Sequence, residues 1–410
     1  MKVLGQISDL GNQKMAVPTM PLAYCSKDHL DSLFRCLWSS PACNISHSSC
    51  AAPCQSQWHD CSFQQTQKLG PYLNFYKRLV SKYDTNLPPG ALTSHYDLHT
   101  LMQTIRCHPD LTRAELVETH LADHAVCKSG VATEDRDRAI DLAVRIMTMV
   151  NCQLQNRSLG YVEYGATFHG WPAETTFCDF MQSCFPSPLP GGPTSSDQVE
   201  TDETLIKTNL TAVQVMKTAK LRFEATDDLR NHLLVDRKRR TVQIFHHAAF
   251  LKENLRCTRG QDRNATMTEQ LKVCAVPRQI ALEILDSIQK VLFRHSDAKS
   301  RAILRSLISK ESFDPECLQF EYSSLRVPGE EEVPYRYFGS RMAELYEEVE
   351  NPSPDGLFEK WLERKSGARY VMLATLIGVL FAVLLGFLSL AVSVYQSYIS
   401  YQAWKHPVVG

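Results

Sequence analysis

Val235–Leu255 reads VDRKRRTVQIFHHAAFLKENL, and here a chain dominated by helical periodicity switches to a period of two. Pairing Asp236 with Thr241 and Val235 with Val242 makes Arg237, Lys238, Arg239 and Arg240 the tip of a β-hairpin. Leu233, Val235, Val242 and Ile244 then share one face, and Phe250, Leu251 and Leu255 cover it from the helix that follows. If the strand runs on through the histidines, alternation sends His246 and His247 to opposite faces. His246 is then a strand-end residue bonding a carbonyl or carboxylate. His247 faces solvent or the next helix, and neither is expected to be catalytic.

Outward from this hairpin the pattern is helical. On its C-terminal side, VPRQIALEILDSIQKVLF starts with Pro277 in the first turn and aligns Ile280, Ile284, Leu285, Ile288 and Leu292. DAKSRAILRSLISK and the acidic SRMAELYEEVENPSPDG follow as further helices. On the N-terminal side, LRFEAT is strand-like, TDDLRNHLL opens as a helix on its acidic residues, and NLTAVQVMKTAK is a short helix capped by Asn209 or Thr211. Earlier still, GPYLNFYKRLVSKY and SHYDLHTLMQTIRC carry apolar residues at helical spacing. Thr112 and Glu115 form a capping-box signature, and Ile140, Ala143, Val144, Met147 and Val150 make a core stripe.

The predicted class is mainly α, with helical cytosolic domains, one small β-hairpin element and a single C-terminal transmembrane helix. Residues 1–64 read as a Cys- and Ser-rich tail with one helical piece, DHLDSLFRCLW. Residues 65–184 form a helical domain, 185–205 a Pro/Gly/Ser linker and 206–350 an α+β module. A juxtamembrane helix occupies 351–369, the membrane helix 370–395 and a short tail 396–410.

YVMLATLIGVLFAVLLGFLSLAVSV, Tyr370–Val394, is about 25 apolar residues without a charge, enough to span a bilayer as a helix. Lys360, Arg364, Lys365 and Arg369 precede it and only Lys405 and His406 follow, so the body is expected in the cytosol. Tyr395, Tyr398, Tyr401 and Trp404 suit the far interface. The first twenty residues lack an apolar signal segment. The length of the span favours an endomembrane over the mitochondrial outer membrane. In a reducing cytosol the 14 cysteines are free or metal-bound, and the sequons at Asn44, Asn156, Asn209 and Asn264 are chance occurrences.

DDLRNHLLVDRKRRTVQIFHHAAFLKENL, FEKWLERKSGARYVMLATLIGVL, YQAWKHP, the MVNC of Met149–Cys152 and the FDPECLQFE of Phe313–Glu321 resemble a group of filamentous-fungal proteins over about residues 70–410. The resemblance implies the architecture and a C-terminal membrane anchor, and carries no activity, cofactor or catalytic residue.

The net charge of −1 gives no global field toward nucleic acid or anionic lipid. Phosphate-loop, dinucleotide, nucleophile-elbow and H-E-x-x-H signatures are absent from the sequence. Cys43, Cys50, Cys54 and Cys61 gather soft ligands suited to zinc, but without a C-x-x-C pair. His95 with His99, and His120 with His124, sit at i, i+4 and share a helix face, where two imidazoles suit one metal. No catalytic residue, and no cofactor beyond such a zinc, is expected. Arg237, Lys238, Arg239 and Arg240 read as a solvated turn, with a lipid-headgroup or partner contact as the functional alternative. The function expected is a membrane-anchored, non-enzymatic interaction or regulatory protein with the bilayer (through 370–395) and a cytosolic protein as partners. A metal-dependent enzyme and a winged-helix-like nucleic-acid binder are the alternatives, nucleic acid being the less expected partner.

Overall fold

Helical spacing in the sequence becomes buried stripes in the computed structural model, which describes residues 22–38, 67–83, 90–120, 133–153, 169–186, 205–262, 265–320, 325–352 and 369–405. The chain divides into two compact units, one ending at Asn351 and one beginning at Pro352.

In the first unit, α1 (Lys27–Trp38) buries Leu30, Leu33, Phe34 and Leu37, the i, i+3, i+4, i+7 set of an amphipathic helix. The expectation of a tail over 1–64 therefore fails for residues 22–38: the apolar stripe is wide enough to join the core, and Trp38 Nε1 donates to Asn254 Oδ1 at 3.1 Å. α2 (Gly70–Ser81) buries Tyr72, Leu73, Phe75, Tyr76, Leu79 and Val80. α3 (His95–Cys107) opens on a capping box between Ser94 and Asp97. Thr112 and Glu115 form the second capping box, as the sequence predicts, and start a short turn that runs into π-helical Leu116–His120. α4 (Thr133–Thr148) and the two residues after it bury the whole expected stripe from Ile140 to Val150. β1 (Cys152–Gln153) pairs in parallel with β2 (His169–Gly170), and α5 (Phe177–Cys184) follows.

α6 (Ala212–Lys217) is capped by Thr211, not Asn209. β3 (Arg222–Thr226), β4 (Val235–Asp236) and β5 (Thr241–Phe245) form a sheet in the order β3-β5-β4. The predicted register is present, with Val235 opposite Val242 and Asp236 opposite Thr241. Asp236 Oδ1 accepts the amides of Lys238 and Arg239 at 2.8 and 3.0 Å, and Arg240 closes the tip at φ 56°. The hairpin is only part of the element, because β3 pairs with β5 in parallel. Between β3 and β4 the expected helix reduces to one 3₁₀ turn, Leu229–Asn231, capped by Asp228. The chain must reverse there, and Leu233 takes φ 60° to do so.

α7 (Ala248–Cys257), α8 (Met267–Val273), α9 (Arg278–Asp286), α10 (Ala298–Lys310) and α11 (Gly339–Glu350) complete the unit. Phe250 of α7 stacks on Tyr72 of α2 at 4.9 Å and meets Trp38 of α1 edge-on at 5.9 Å. Stretches on both sides of residues 185–205 thus feed one core.

The second unit contains α12 (Arg369–Lys405). Within it Thr375–Gln402 is 28 residues long and apolar enough to cross a membrane. The helix continues past the apolar run that defines the expected span, to Lys405, where Pro407 lies two residues ahead.

Candidate functional site: an Arg–Asp–His–His hub

Parallel pairing of β3 with β5 places Thr226 beside Phe245, so the residues after each strand emerge at the same end. Those residues are Asp227 and the pair His246–His247. β5 ends at Phe245, and the chain turns at once into α7 with His247 as its N-cap residue. Strand alternation no longer applies, and the two imidazoles lie 4.0 Å apart, inclined by 33°. The expectation that they point to opposite faces is incorrect. His247, expected toward solvent or the next helix, is 1% exposed.

His247 Nε2 lies 2.7 Å and His246 Nε2 3.5 Å from Asp227 Oδ1, while Arg78 of α2 pairs with Asp227 Oδ2. Burial alone would raise the Asp227 carboxyl. Hydrogen bonds from His246 and His247 and the Arg78 charge outweigh it and hold the group well below the usual carboxylate range. Burial, with the neighbouring His246, lowers His247 to about 4 against the pull of Asp227, so its ring is neutral near pH 7.

Ligand-type atoms of Asp227, His246 and His247 all lie within 4.8 Å of one another. Two carboxylate-linked imidazoles suit a transition metal by type. Hydrogen-bond direction argues otherwise. The Asp314 amide donates to His246 Nδ1 at 3.2 Å, so Nδ1 offers its lone pair and Nε2 carries the proton. That proton points toward Asp227 and occupies the lone pair an ion would need. Arg78 puts a further positive charge where a cation would be held. Asp314 is itself fixed by the Ala249 amide, 2.8 Å from its Oδ2. The geometry is that of a hydrogen-bonded clamp tying α2, the ends of β3 and β5, and the segment before Pro315.

His95 and His99 share a face of α3, as predicted, but that face is buried. One proton arrangement satisfies every bond. Ser32 donates to His99 Nδ1 (3.0 Å), His99 Nε2–H to the Tyr76 oxygen (3.2 Å), Tyr76 O–H to His95 Nδ1 (2.6 Å), and His95 Nε2–H to the Tyr24 carbonyl (3.0 Å). With all four ring nitrogens engaged, the pair locks α1, α2 and α3 together. Burial, then the neighbouring His95 and His29, lowers His99 to about 3. His120 ends the π-helical turn and its side chain lies outside the described residues, as do His124, Cys43, Cys50, Cys54 and Cys61.

The basic hairpin tip is largely paired. Arg237 reaches Glu344 (3.3 Å) and Glu348 (3.2 Å) of α11, Arg240 reaches Glu348 (3.3 Å), and Arg239 reaches Glu224 (3.2 Å). Only Lys238 of the four makes no ion pair among the described residues, its charge acting on the neighbouring Asp236.

Comparison with protein-family models, with curated proteins and with solved structures found no match. The Asp227 hub was missed in the sequence because the histidine pair lies about twenty residues from Asp227 and meets it only through a parallel strand pair, while Arg78 arrives from a helix 149 residues away. A usable signal was the polar triplet flanking two strand-like runs of equal length, RFEAT-D and TVQIF-HH.

Proposed function

We propose that this protein is a non-enzymatic interaction or regulatory module held at a membrane by α12, with its helical body in the cytosol. The supporting observation is the 28-residue apolar stretch of α12 joined to a unit with its own core. Four basic residues precede the stretch and favour the cytosolic side for the body. The length of the span favours an endomembrane, and the resemblance to filamentous-fungal proteins supports the same anchored architecture. Pairing of Arg237, Arg239 and Arg240 with carboxylates weighs against nucleic acid as the partner. The partner is then a cytosolic protein.

Intact vesicles treated with protease test this reading. The body should be digested while α12 is protected. Glycosylation at Asn44, Asn156, Asn209 or Asn264 in cells, or a fully protected body, would overturn the topology. A metal-dependent enzyme is the second reading and draws on the proximity of Asp227, His246 and His247. Elemental analysis of purified full-length protein separates the two: stoichiometric zinc or iron lost with His246→Ala favours the enzyme.

A further inference from the structure

The basic run most visible in the sequence is tied to Glu224, Glu344 and Glu348, and the unneutralised basic surface lies on α10 instead. Lys299, Arg305 and Lys310 are exposed and Arg301 is half-buried. Among the described residues none of the four makes an ion pair, although the Lys299 charge helps hold the neighbouring Asp297 carboxyl down. The Arg301 guanidinium donates to the His295 carbonyl at 3.4 Å.

Their placement follows from helical spacing. Ser300, Leu304 and Leu307 face the core. On the opposite side Ala298, Ala302, Ser306 and Ser309 form an outward ridge of short side chains. Arg301 and Arg305 flank this ridge on one side, Lys299 and Lys310 on the other. Two cationic rows separated by small residues fit a flat anionic surface, because nothing long holds that surface off. Arg301 also borders a shallow cleft lined by Gln289, His295 and Phe320, and Phe320 is 44% exposed.

The opposing charges are few. Asp297 caps α10 and is held by Lys299 N and Ser300 Oγ, and Glu311 closes the helix. Of the elements packed against α10, α6 adds the exposed Lys217, and the Pro315–Leu318 turn carries Glu316, whose carboxylate is taken by Lys252 at 2.7 Å.

We propose that α10 docks on the headgroups of an anionic bilayer. This rests on reading α12 as a membrane span, which keeps the body within tether range of one lipid surface. Each cation near such a surface strengthens association by about fivefold at low salt, so four give several hundredfold, screened over about 8 Å at physiological ionic strength.

The test uses full-length protein reconstituted into phosphatidylcholine vesicles, with or without about one-third phosphatidylserine. Acetylation of individual lysines is read by mass spectrometry. Lys299 and Lys310 should be labelled at least about threefold more slowly on the phosphatidylserine vesicles, and the protection should vanish in about 0.5 M salt. Lys238 on the hairpin should change little. Equal labelling on both vesicle types, in protein that resists alkaline extraction, overturns the proposal alone. Release by alkali overturns the anchor and the proposal with it. Protection by an added acidic peptide or RNA on neutral vesicles, without protection by phosphatidylserine, assigns the face to that partner and overturns lipid docking.

Discussion

Acidification to about pH 5 should unfold the body of this protein, because His99, His232 and His247 are packed as neutral rings. Burial lowers His99 and His232 to about 3 and His247 to about 4, with further contributions from His95 and His29 at His99, from Arg341 at His232 and from His246 at His247. In the unfolded chain each titrates near 6.5. The folded values lie below the unfolded ones, so the unfolded state binds more protons as pH falls. Stability is at its full value above about pH 6.5 and is lost from there toward about pH 4. One such ring costs about 1.4 kcal/mol per pH unit, so three cost about 4 kcal/mol per unit. Burial raises the carboxyls of Asp141, Glu283 and Asp314, which take up protons in the folded state and offset part of this slope. Against a typical total of about 5–15 kcal/mol, a fall of one and a half units is severe. The buried indoles of Trp38 and Trp171 report on the body in detergent-solubilised full-length protein. Urea midpoints near pH 7.5, 6.5 and 5.5 give the slope. His99→Gln keeps a donor for Tyr76 and should flatten it by about a third. Stability that stays level or rises between pH 6.5 and 5, or a slope unchanged in His99→Gln, would refute the reasoning.

Asp227→Ala leaves the buried His247 donor without its acceptor and should cost about 2–4 kcal/mol in urea unfolding. Arg78→Ala should cost at most about 1 kcal/mol, because the guanidinium is 54% exposed; equal losses in both would show that the clamp does not centre on the carboxylate. Tyr76→Phe removes the shared hydroxyl of the His95–His99 chain and should cost about 1–3 kcal/mol, with strong non-additivity toward His99→Gln in a double-mutant cycle. Equimolar Zn²⁺ should leave the thermal midpoint unchanged, and a rise of several degrees that depends on His246 would show that the Asp314 amide does not fix the ring's proton.

Local rules carried the reading of the helices and the hairpin. Thr112 with Glu115, the α4 stripe and the Val235–Val242 register are visible because each depends on residues within a few positions of one another. The same rules placed His95 and His99 on one face of α3 but did not say what covers it. Tyr76 and Ser32 arrive from other helices and Tyr24 from the segment before α1, and together they turn an apparent metal pair into a closed hydrogen-bond chain.

A local rule holds only as far as its element runs. Strand alternation was carried two residues beyond Phe245 and separated His246 from His247, whereas the chain had already turned into α7. Arg237, Lys238 and Arg239 are exposed at the turn, as a solvated hairpin tip requires. Glu344 and Glu348, about a hundred residues on, pair with Arg237 and Arg240, and the free basic face lies on the less conspicuous α10.

Periodicity and composition were enough for the mainly helical body, the hairpin and the apolar terminal helix, since these arise from interactions along a short length of chain. The parallel β3–β5 pair, the Asp227 clamp and the inclusion of α1 in the core were decided by tertiary packing. Parallel strands carry no turn between them to mark their register, and a buried imidazole takes its role from whichever donors and acceptors the fold brings to its two nitrogens.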